Sequence, residues 1–372
     1  MITGVELAND PRVVLTLDAG GTNFSFSAMQ SGQPLGSSVT LPAEPHDLDA
    51  SLRNLATGFQ ALIDQLGNQI GRAPSAISFA FPGPADYPNG VVFNVGNLPA
   101  YRGGVAVGPM LEERFGVPVF LNNDGDLFAY GEAIAGLLPE INRELEAAGS
   151  PKRYRNLIGL TLGTGLGGGI VIDGRLLTGD NSAGGEFWLL RNKVRQDCFA
   201  EEGASIRAVR AVYAEAAGVA ADGLSPKDIC DIATGQAVGD REAARQAFET
   251  LGEVVGDALA NVLTLIDGLA VIGGGLAGAA PLFLPRLMAE LNGTIATYGG
   301  GKTDRLIQTA YDLEDSAQRQ EFLRGEARQI AVPHSSRTVV SDPRKRVGVG
   351  ISKLGANRAV GVGAYAFALT RL

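Results

Sequence analysis

The stretch that most constrains this chain runs from Val13 to Ala28. An apolar strand, Val13-Val14-Leu15-Thr16-Leu17, reaches Asp18, turns through Ala19-Gly20-Gly21-Thr22-Asn23, and returns as Phe24-Ser25-Phe26-Ser27-Ala28 with alternating polarity. The pattern predicts a hairpin. Adjacent glycines let main-chain N–H groups meet an anion with no Cβ in the way, and tolerate positive φ. Thr22 and Asn23 add side-chain donors. Asp18, a carboxylate at the end of a buried strand, is placed to hold hydrated Mg²⁺. An ordinary hairpin with Asp and Gly in its turn has the same local signature, so later stretches must decide.

The chain has 372 residues, enough for two or three domains with sizeable cores. Its formal charge of −9 argues against a nucleic-acid partner. Cys198 and Cys230 are the only cysteines, too few for a disulfide framework or the usual four-ligand zinc cluster. Residues 1–11 lack the basic and apolar regions of a signal peptide. No apolar run is long enough to span a membrane. A soluble cytoplasmic protein with no membrane partner is expected.

Residues 1–11 read as a loose lead-in, too short for a helix-turn-helix. After the hairpin, Leu35–Leu41 reads as a third strand. Leu48, Leu52, Leu55, Phe59, Leu62, Ile63 and Leu66 form one helical face, with Asp47 or Asp49 as the cap. Ala76–Phe81 reads as a buried strand ending at Pro82-Gly83-Pro84, and Val91-Val92-Phe93-Asn94 as a short strand before Gly96-Asn97-Leu98-Pro99. A short helix over Pro109–Phe115 and a strand over Val117–Leu121 then lead to Asn122-Asn123-Asp124. The first half is thus an open α/β unit. A helix follows over Asp126–Leu138, then a charged surface excursion over 139–155. The pattern next repeats: strand Leu157–Leu162, a turn Gly163-Thr164-Gly165-Leu166-Gly167-Gly168-Gly169, and returning strand Ile170-Val171-Ile172. This suggests internal duplication of a βββαβα unit. Residues 203–217, 241–267, 279–291 and 361–372 read as helices. Ala270-Val271-Ile272 is a strand running into Gly273-Gly274-Gly275, where bare backbone before a helix lets a ribose or flat ring lie close. Residues 297–345 show little periodicity before Thr338-Val339-Val340.

Two motifs fail on context. Gly163–Gly168 fits G-x-G-x-x-G, but a dinucleotide fold requires a helix after it, and a strand follows. Ala296–Thr303 fits a relaxed P-loop, yet no buried strand precedes it and no helix follows; a surface glycine-rich loop is expected there.

Three glycine turns in this order, with an Asp after a strand between the first two, resemble the actin-like ATPase superfamily of sugar kinases, and within it the ROK family (repressors, open reading frames, kinases). The matching stretches are Asp18-Ala-Gly-Gly-Thr-Asn23, Phe81-Pro-Gly-Pro-Ala-Asp86, Gly96-Asn-Leu-Pro99, Asn122-Asn-Asp124, Gly163-Thr-Gly-Leu-Gly-Gly-Gly169, Ala183-Gly-Gly-Glu186, Val271-Ile-Gly-Gly-Gly275, Leu354-Gly355 and Gly361-Val-Gly-Ala364. They extend over nearly the whole chain. The resemblance implies an α/β fold of two ribonuclease-H-like lobes with a cleft between them. Residues 1–125 plus 355–372 would form the small lobe. Residues 126–354 would form the large one; the insertion at about 297–345 departs from a compact kinase and is expected to cap the cleft or build an oligomer contact. It implies ATP-dependent phosphorylation of a hexose or amino-hexose (glucokinase-like), and a homodimer as the family's tendency.

Carried over by motif position, Asp124 is the general base, a role that competes with capping the following helix. Asp18 is the Mg²⁺ residue, acting through water. Gly20, Gly21, Thr22, Asn23, Gly163, Thr164 and Gly165 meet the ATP phosphates, and Gly273, Gly274 and Gly275 the nucleoside. Gly83, Asn97, Asn123, Asp124, Glu186 and Glu201 meet the sugar, with Glu202 the alternative to Glu201. Many members carry zinc on a His three residues after the sugar-binding Glu and on three cysteines. Here Leu189 stands at the His position and Cys198 is the one cysteine left, so no zinc site is expected. The run Phe187-Trp188-Leu189-Leu190 would replace metal with packing. The alternative function is a non-catalytic sugar-binding regulator of the family without a DNA-binding domain.

Overall fold

The computed structural model describes residues 4–67, 73–93 and 95–372. In chain order its elements begin with α1 (Gly4–Ala8), β1 (Val13–Ala19), β2 (Asn23–Gln30), β3 (Gln33–Pro42), α2 (Leu48–Leu66) and β4 (Ala76–Ala80). Three short strands, β5 (Ala85–Asp86), β6 (Val91–Val92) and β7 (Val105–Ala106), precede α3 (Val107–Phe115), β8 (Val119–Asn122) and α4 (Asp124–Ala135). Then come α5 (Leu137–Ala147), β9 (Leu157–Leu162), β10 (Leu166–Ile172), β11 (Arg175–Leu176), α6 (Ile206–Ala217), α7 (Pro226–Thr234), α8 (Arg241–Ile266), β12 (Leu269–Gly273) and α9 (Ala280–Leu291). The chain ends with β13 (Thr294–Ala296), β14 (Lys302–Asp304), β15 (Thr309–Asp312), α10 (Ser316–Arg324), β16 (Arg328–Ala331), β17 (Thr338–Ser341), β18 (Arg346–Ile351) and α11 (Ala356–Leu369). Contacts group the chain into two units: residues up to 136 with 169–185 and 354–372, and residues 137–168 with 186–353.

The first unit is built on a sheet in the order β3-β2-β1-β4-β8. β1 is antiparallel to β2 and parallel to β4, which is parallel to β8. β1 is buried at every position except Asp18, as an apolar run covered on both faces must be. On one face Leu15, Leu17, Phe26, Phe79 and Phe81 pack with Leu55, Phe59 and Leu62 of α2. There Phe26 meets Phe59 edge to face at 4.9 Å. Asp47 caps α2, accepting from the Ala50 N–H. On the other face Ser78 Oγ donates to the Ala364 carbonyl of α11 at 2.7 Å, and α11 in turn packs along α4. The expected strand at 91–94 is shorter: β6 covers Val91–Val92 between β5 and β7, and Asn94 lies outside the described residues.

The other large sheet is six-stranded, β11-β10-β9-β12-β18-β15, with β9, β12, β18 and β15 of the second unit mutually parallel. Strand order therefore carries the duplication read from the sequence: β2-β1-β4-β8 in one sheet, β10-β9-β12-β18 in the other. Past Gly168, β10 and the antiparallel β11 group with the first unit. Helix α8 packs with α6, α7 and α9. Where a surface excursion was expected at 139–155, α5 folds with Leu137, Leu138, Ile141 and Leu145 buried. The 297–345 segment is ordered. β15 joins the main sheet, while β13–β14 and β16–β17 are exposed two-stranded ribbons. Arg319 of α10 bonds Glu144 of α5 at 2.7 and 2.9 Å, and buried Arg346 pairs with Asp342 at 2.6 Å. Among the described residues no helix is long and apolar enough to cross a membrane.

Candidate active site

Three parallel strands of the first unit end side by side. Asp18 is in register with Ala80, and Ala80 with Asn122. The segments leaving those ends hold Asp18, Gly83 and Asn123-Asp124 along one sheet edge, where open α/β sheets place their ligand sites. The Asp18 carboxyl is pushed above the usual carboxylate range, first by loss of solvent around it and second by the charge of Asp124. The two acidic groups are therefore neighbours. Among the described residues neither has an ion-pair partner within the first unit.

The turn after Asp18 is closed by the Gly20 N–H donating to the Asn23 carbonyl at 3.1 Å, and the Ala43 N–H donates to the Thr22 carbonyl at 2.9 Å. Thr22 and Asn23 are exposed. Gly21 lies against Asn97: a Cβ on Gly21 would stand 3.2 Å from Asn97 Cβ and Nδ2. Asn97, more than seventy residues away in sequence, thus sits beside the first glycine turn. Gly83 lies over Tyr87, whose hydroxyl donates to the Phe81 carbonyl at 3.0 Å.

Asn123 is the cap of α4, its Oδ1 accepting from the Gly125 N–H at 2.8 Å. The capping role weighed for Asp124 in the sequence belongs to its neighbour. Asp124 occupies the first helical position, exposed, with Oδ1 2.9 Å from the same N–H.

In the second unit the Gly163 N–H donates to the Gly165 carbonyl at 3.0 Å, and the Gly163 carbonyl accepts from Ile206 at 2.8 Å. Thr164, at the tip, is exposed. The strand β10 that follows upholds rejection of the dinucleotide motif, and Ala296–Lys302 turns the exposed β13–β14 ribbon rather than a P-loop. Glu201 reaches this turn: its Oε2 accepts from the Leu166 N–H at 3.0 Å. A Cβ on Gly165 would stand 2.4 Å from that oxygen. Arg207, which the sequence reading passed over, holds Glu201 and Glu202 at 2.8 and 2.7 Å. Its only sequence signal is a position one turn past the two glutamates.

Gly274 has φ +89 and packs on the end of β9, where a Cβ would meet the Leu162 carbonyl at 2.4 Å. Gly275, next along from Gly273-Gly274, has open space beyond its Cα. Glu186 precedes a short helical turn over Phe187–Leu189. Its carboxylate accepts from the Trp188 indole N–H, and Trp188 meets Phe199 edge to face at 5.5 Å. Phe187 is buried against Gly168, and the Ala200 N–H donates to the Leu190 carbonyl at 2.6 Å. Aromatic packing and main-chain bonds hold this segment. Among the described residues no three His, Cys, Asp or Glu side chains gather as metal ligands.

The family model described as ROK family matches residues 14–318. The N-acetyl-D-glucosamine kinase of Vibrio vulnificus is 28% identical over 278 residues, covering 70% of this chain and 82% of its own. Among solved structures, the glucokinase from Parabacteroides distasonis is 55% identical with a TM-score of 0.90, covering 98% of this chain and 99% of that one. A ROK family glucokinase from Streptomyces griseus, solved with glucose and AMPPNP, shares the fold at 21% identity, with a TM-score of 0.58 over 95% of this chain and 98% of that one. With the actin-like ATPase fold of those neighbours and a family match spanning most of its length, the chain belongs to the ROK family.

Proposed function

We propose that this protein is an ATP-dependent sugar kinase that transfers the γ-phosphoryl group to a hydroxyl of a hexose or amino-hexose, with Asp124 as general base. The observation that carries the reading is the pair Asp18 and Asp124. Two acidic groups stand at the ends of β1 and β8, the strands on either side of β4; burial first and the charge of Asp124 second raise the Asp18 pKa, and among the described residues neither has an ion-pair partner in that unit. Uncompensated like charges are costly, and hard oxygen donors of this kind suit Mg²⁺, which needs one or two carboxylates and completes its shell with water and phosphate. A divalent cation bound at Asp18 supplies charge neutralisation for the transferring phosphoryl group.

The chain's own residues supply position and proton handling. Asp124, fixed at the start of α4 by one oxygen, keeps the other free to accept the proton of the attacking sugar hydroxyl. Asn97 and Asn123 offer fixed polar groups for neighbouring hydroxyls, as do Gly83's main chain and Glu186; the Glu201 carboxylate, a sugar ligand by motif position, is taken up by the Leu166 N–H and Arg207 instead. The turns at Gly20–Asn23 and Gly163–Gly165 present main-chain N–H groups to phosphate oxygens. The open backbone at Gly275 supports a nucleoside against Gly273–Gly275. The packed segment 187–200 supports a sugar site shaped without zinc.

Glucose is the first sugar to test, because a glucokinase is 55% identical over nearly the whole chain; N-acetylglucosamine is the second. The experiment is ADP release from Mg²⁺-ATP across hexoses and N-acetylhexosamines. Wild type should turn over in a sugar-dependent way, and Asp124→Asn should lower kcat about a thousandfold while still binding sugar. Sugar binding without turnover by the wild type would overturn the kinase reading in favour of a sugar-binding regulator.

A further inference from the structure

Arg207 stands where a helix does not want a cation. It lies in the first turn of α6, behind the cap Ser205, where the helix dipole disfavours positive charge. Its position is explained by what it reaches back to. One nitrogen, Nη2, contacts Oε1 of Glu201 at 2.8 Å and Oε1 of Glu202 at 2.7 Å. Ser205 Oγ donates to the Glu201 carbonyl at 2.8 Å, pinning the main chain of that turn. Glu201 then has its second oxygen on the Leu166 N–H, in a space that exists because residue 165 is glycine. The chain of contacts is continuous: guanidinium, carboxylate, loop N–H. A second tie, from the Ile206 N–H to the Gly163 carbonyl, enters the same loop from the same helix start.

We propose that Arg207 is a positioning residue that clamps Glu201 onto the Leu166 N–H and so fixes the shape of the Gly163–Gly165 turn. Two adjacent carboxylates share this one guanidinium. Without it their repulsion and the freed Glu201 chain let the carboxylate leave the loop. The activity part of this inference rests on the kinase reading; the loop part does not.

The test uses the full chain with Arg207→Met and Arg207→Lys, each first shown by thermal melting to be folded. In unliganded protein, hydrogen exchange at Leu166 should quicken about tenfold in Arg207→Met, the scale of losing one charge-assisted hydrogen bond. Arg207→Lys, which still reaches one carboxylate, should recover most of the protection. In turnover assays Arg207→Met should raise KM for ATP about tenfold, with KM for sugar changed less than about twofold. Unchanged exchange at Leu166, or equal rises in both KM values, overturns the clamp. A wild type with no sugar-dependent turnover would sink the kinase reading instead, and the exchange measurement would still decide the clamp.

Discussion

Gly363→Ala tests how α4, which carries Asp124, is held. Helices α4 and α11 cross with main chain against main chain: a Cβ on Gly363 would stand 1.9 Å from the Leu127 carbonyl oxygen, and one on Gly131 1.9 Å from the Ala359 carbonyl oxygen. The contact is reciprocal, and both helices are buried along most of their length. Replacing glycine by alanine inside a helix is worth about 1 kcal/mol on propensity alone. Overpacking costs about 1–3 kcal/mol, occasionally more, when side chains can yield. Here the obstacle is a carbonyl in a packed helix, so the helices must part by roughly 1 Å or more, and the upper end of that range applies. The net expectation is destabilisation by about 2 kcal/mol in urea unfolding. Because α4 begins at Asp124, moving the helix moves the carboxylate proposed as base, and a misplacement of about 1 Å costs on the order of a hundredfold in rate. Stability and kcat should fall together. An alanine variant that is as stable as wild type, or more stable as propensity alone demands, would mean that the helices stand farther apart than described and would refute the reasoning.

The Asp18 carboxyl is pushed up in the folded protein, so its charge costs stability that is lost as pH rises from the ordinary carboxylate range through the raised pKa. Asp18→Asn should therefore raise the melting temperature at pH 8 but not near pH 3, while turnover drops at least about a hundredfold. Gly274→Ala forces a side chain into φ +89 and against the Leu162 carbonyl; unfolding should show a loss of about 2–4 kcal/mol. Trp188→Phe keeps an aromatic ring facing Phe199 but removes the indole donor to Glu186. KM for sugar should rise about fivefold with KM for ATP unchanged, and a change confined to ATP would place Glu186 away from the sugar.

What the sequence made legible has a common physical cause. The hairpin at Asp18 was readable because a continuous apolar run stops at a charge and then at two glycines, all within a few residues. α2 was readable because its buried stripe is long and its cap, Asp47, immediately precedes it. The capping of α4 was not, since Asn123 and Asp124 are both good caps and geometry alone chose the first. α5 was missed because Pro139 and four acidic or basic residues obscure a narrow stripe; proline in a first turn is tolerated. β15 has four residues, and its burial comes from pairing with β18 far along the chain. The exposed ribbons carry no burial pattern for a period to reveal. Glu201 and Glu202 could not be told apart in sequence, because what distinguishes them is the Leu166 N–H beside Gly165.

The duplicated strand order makes the difference between the two glycine turns informative. In the first unit the strand before the turn reaches Asp18, and a second acidic group, Asp124, arrives from the end of β8, one strand beyond β4, with no ion-pair partner for either in that unit among the described residues. In the second unit β9 ends in Leu162, and the carboxylate that reaches the turn, Glu201, comes with its own guanidinium. A pair of acidic groups left uncompensated lowers stability and is tolerated where function uses it; one paired with Arg207 makes a fixed scaffold. The same local architecture has therefore been specialised in opposite senses. On the proposed kinase reading, one copy keeps negative charge available for a metal ion and a proton, and the other pairs its charge internally and presents a loop of neutral main-chain donors. That asymmetry supports the proposed reading, because phosphoryl transfer to a hydroxyl requires a base, a cation site and a rigid phosphate cradle.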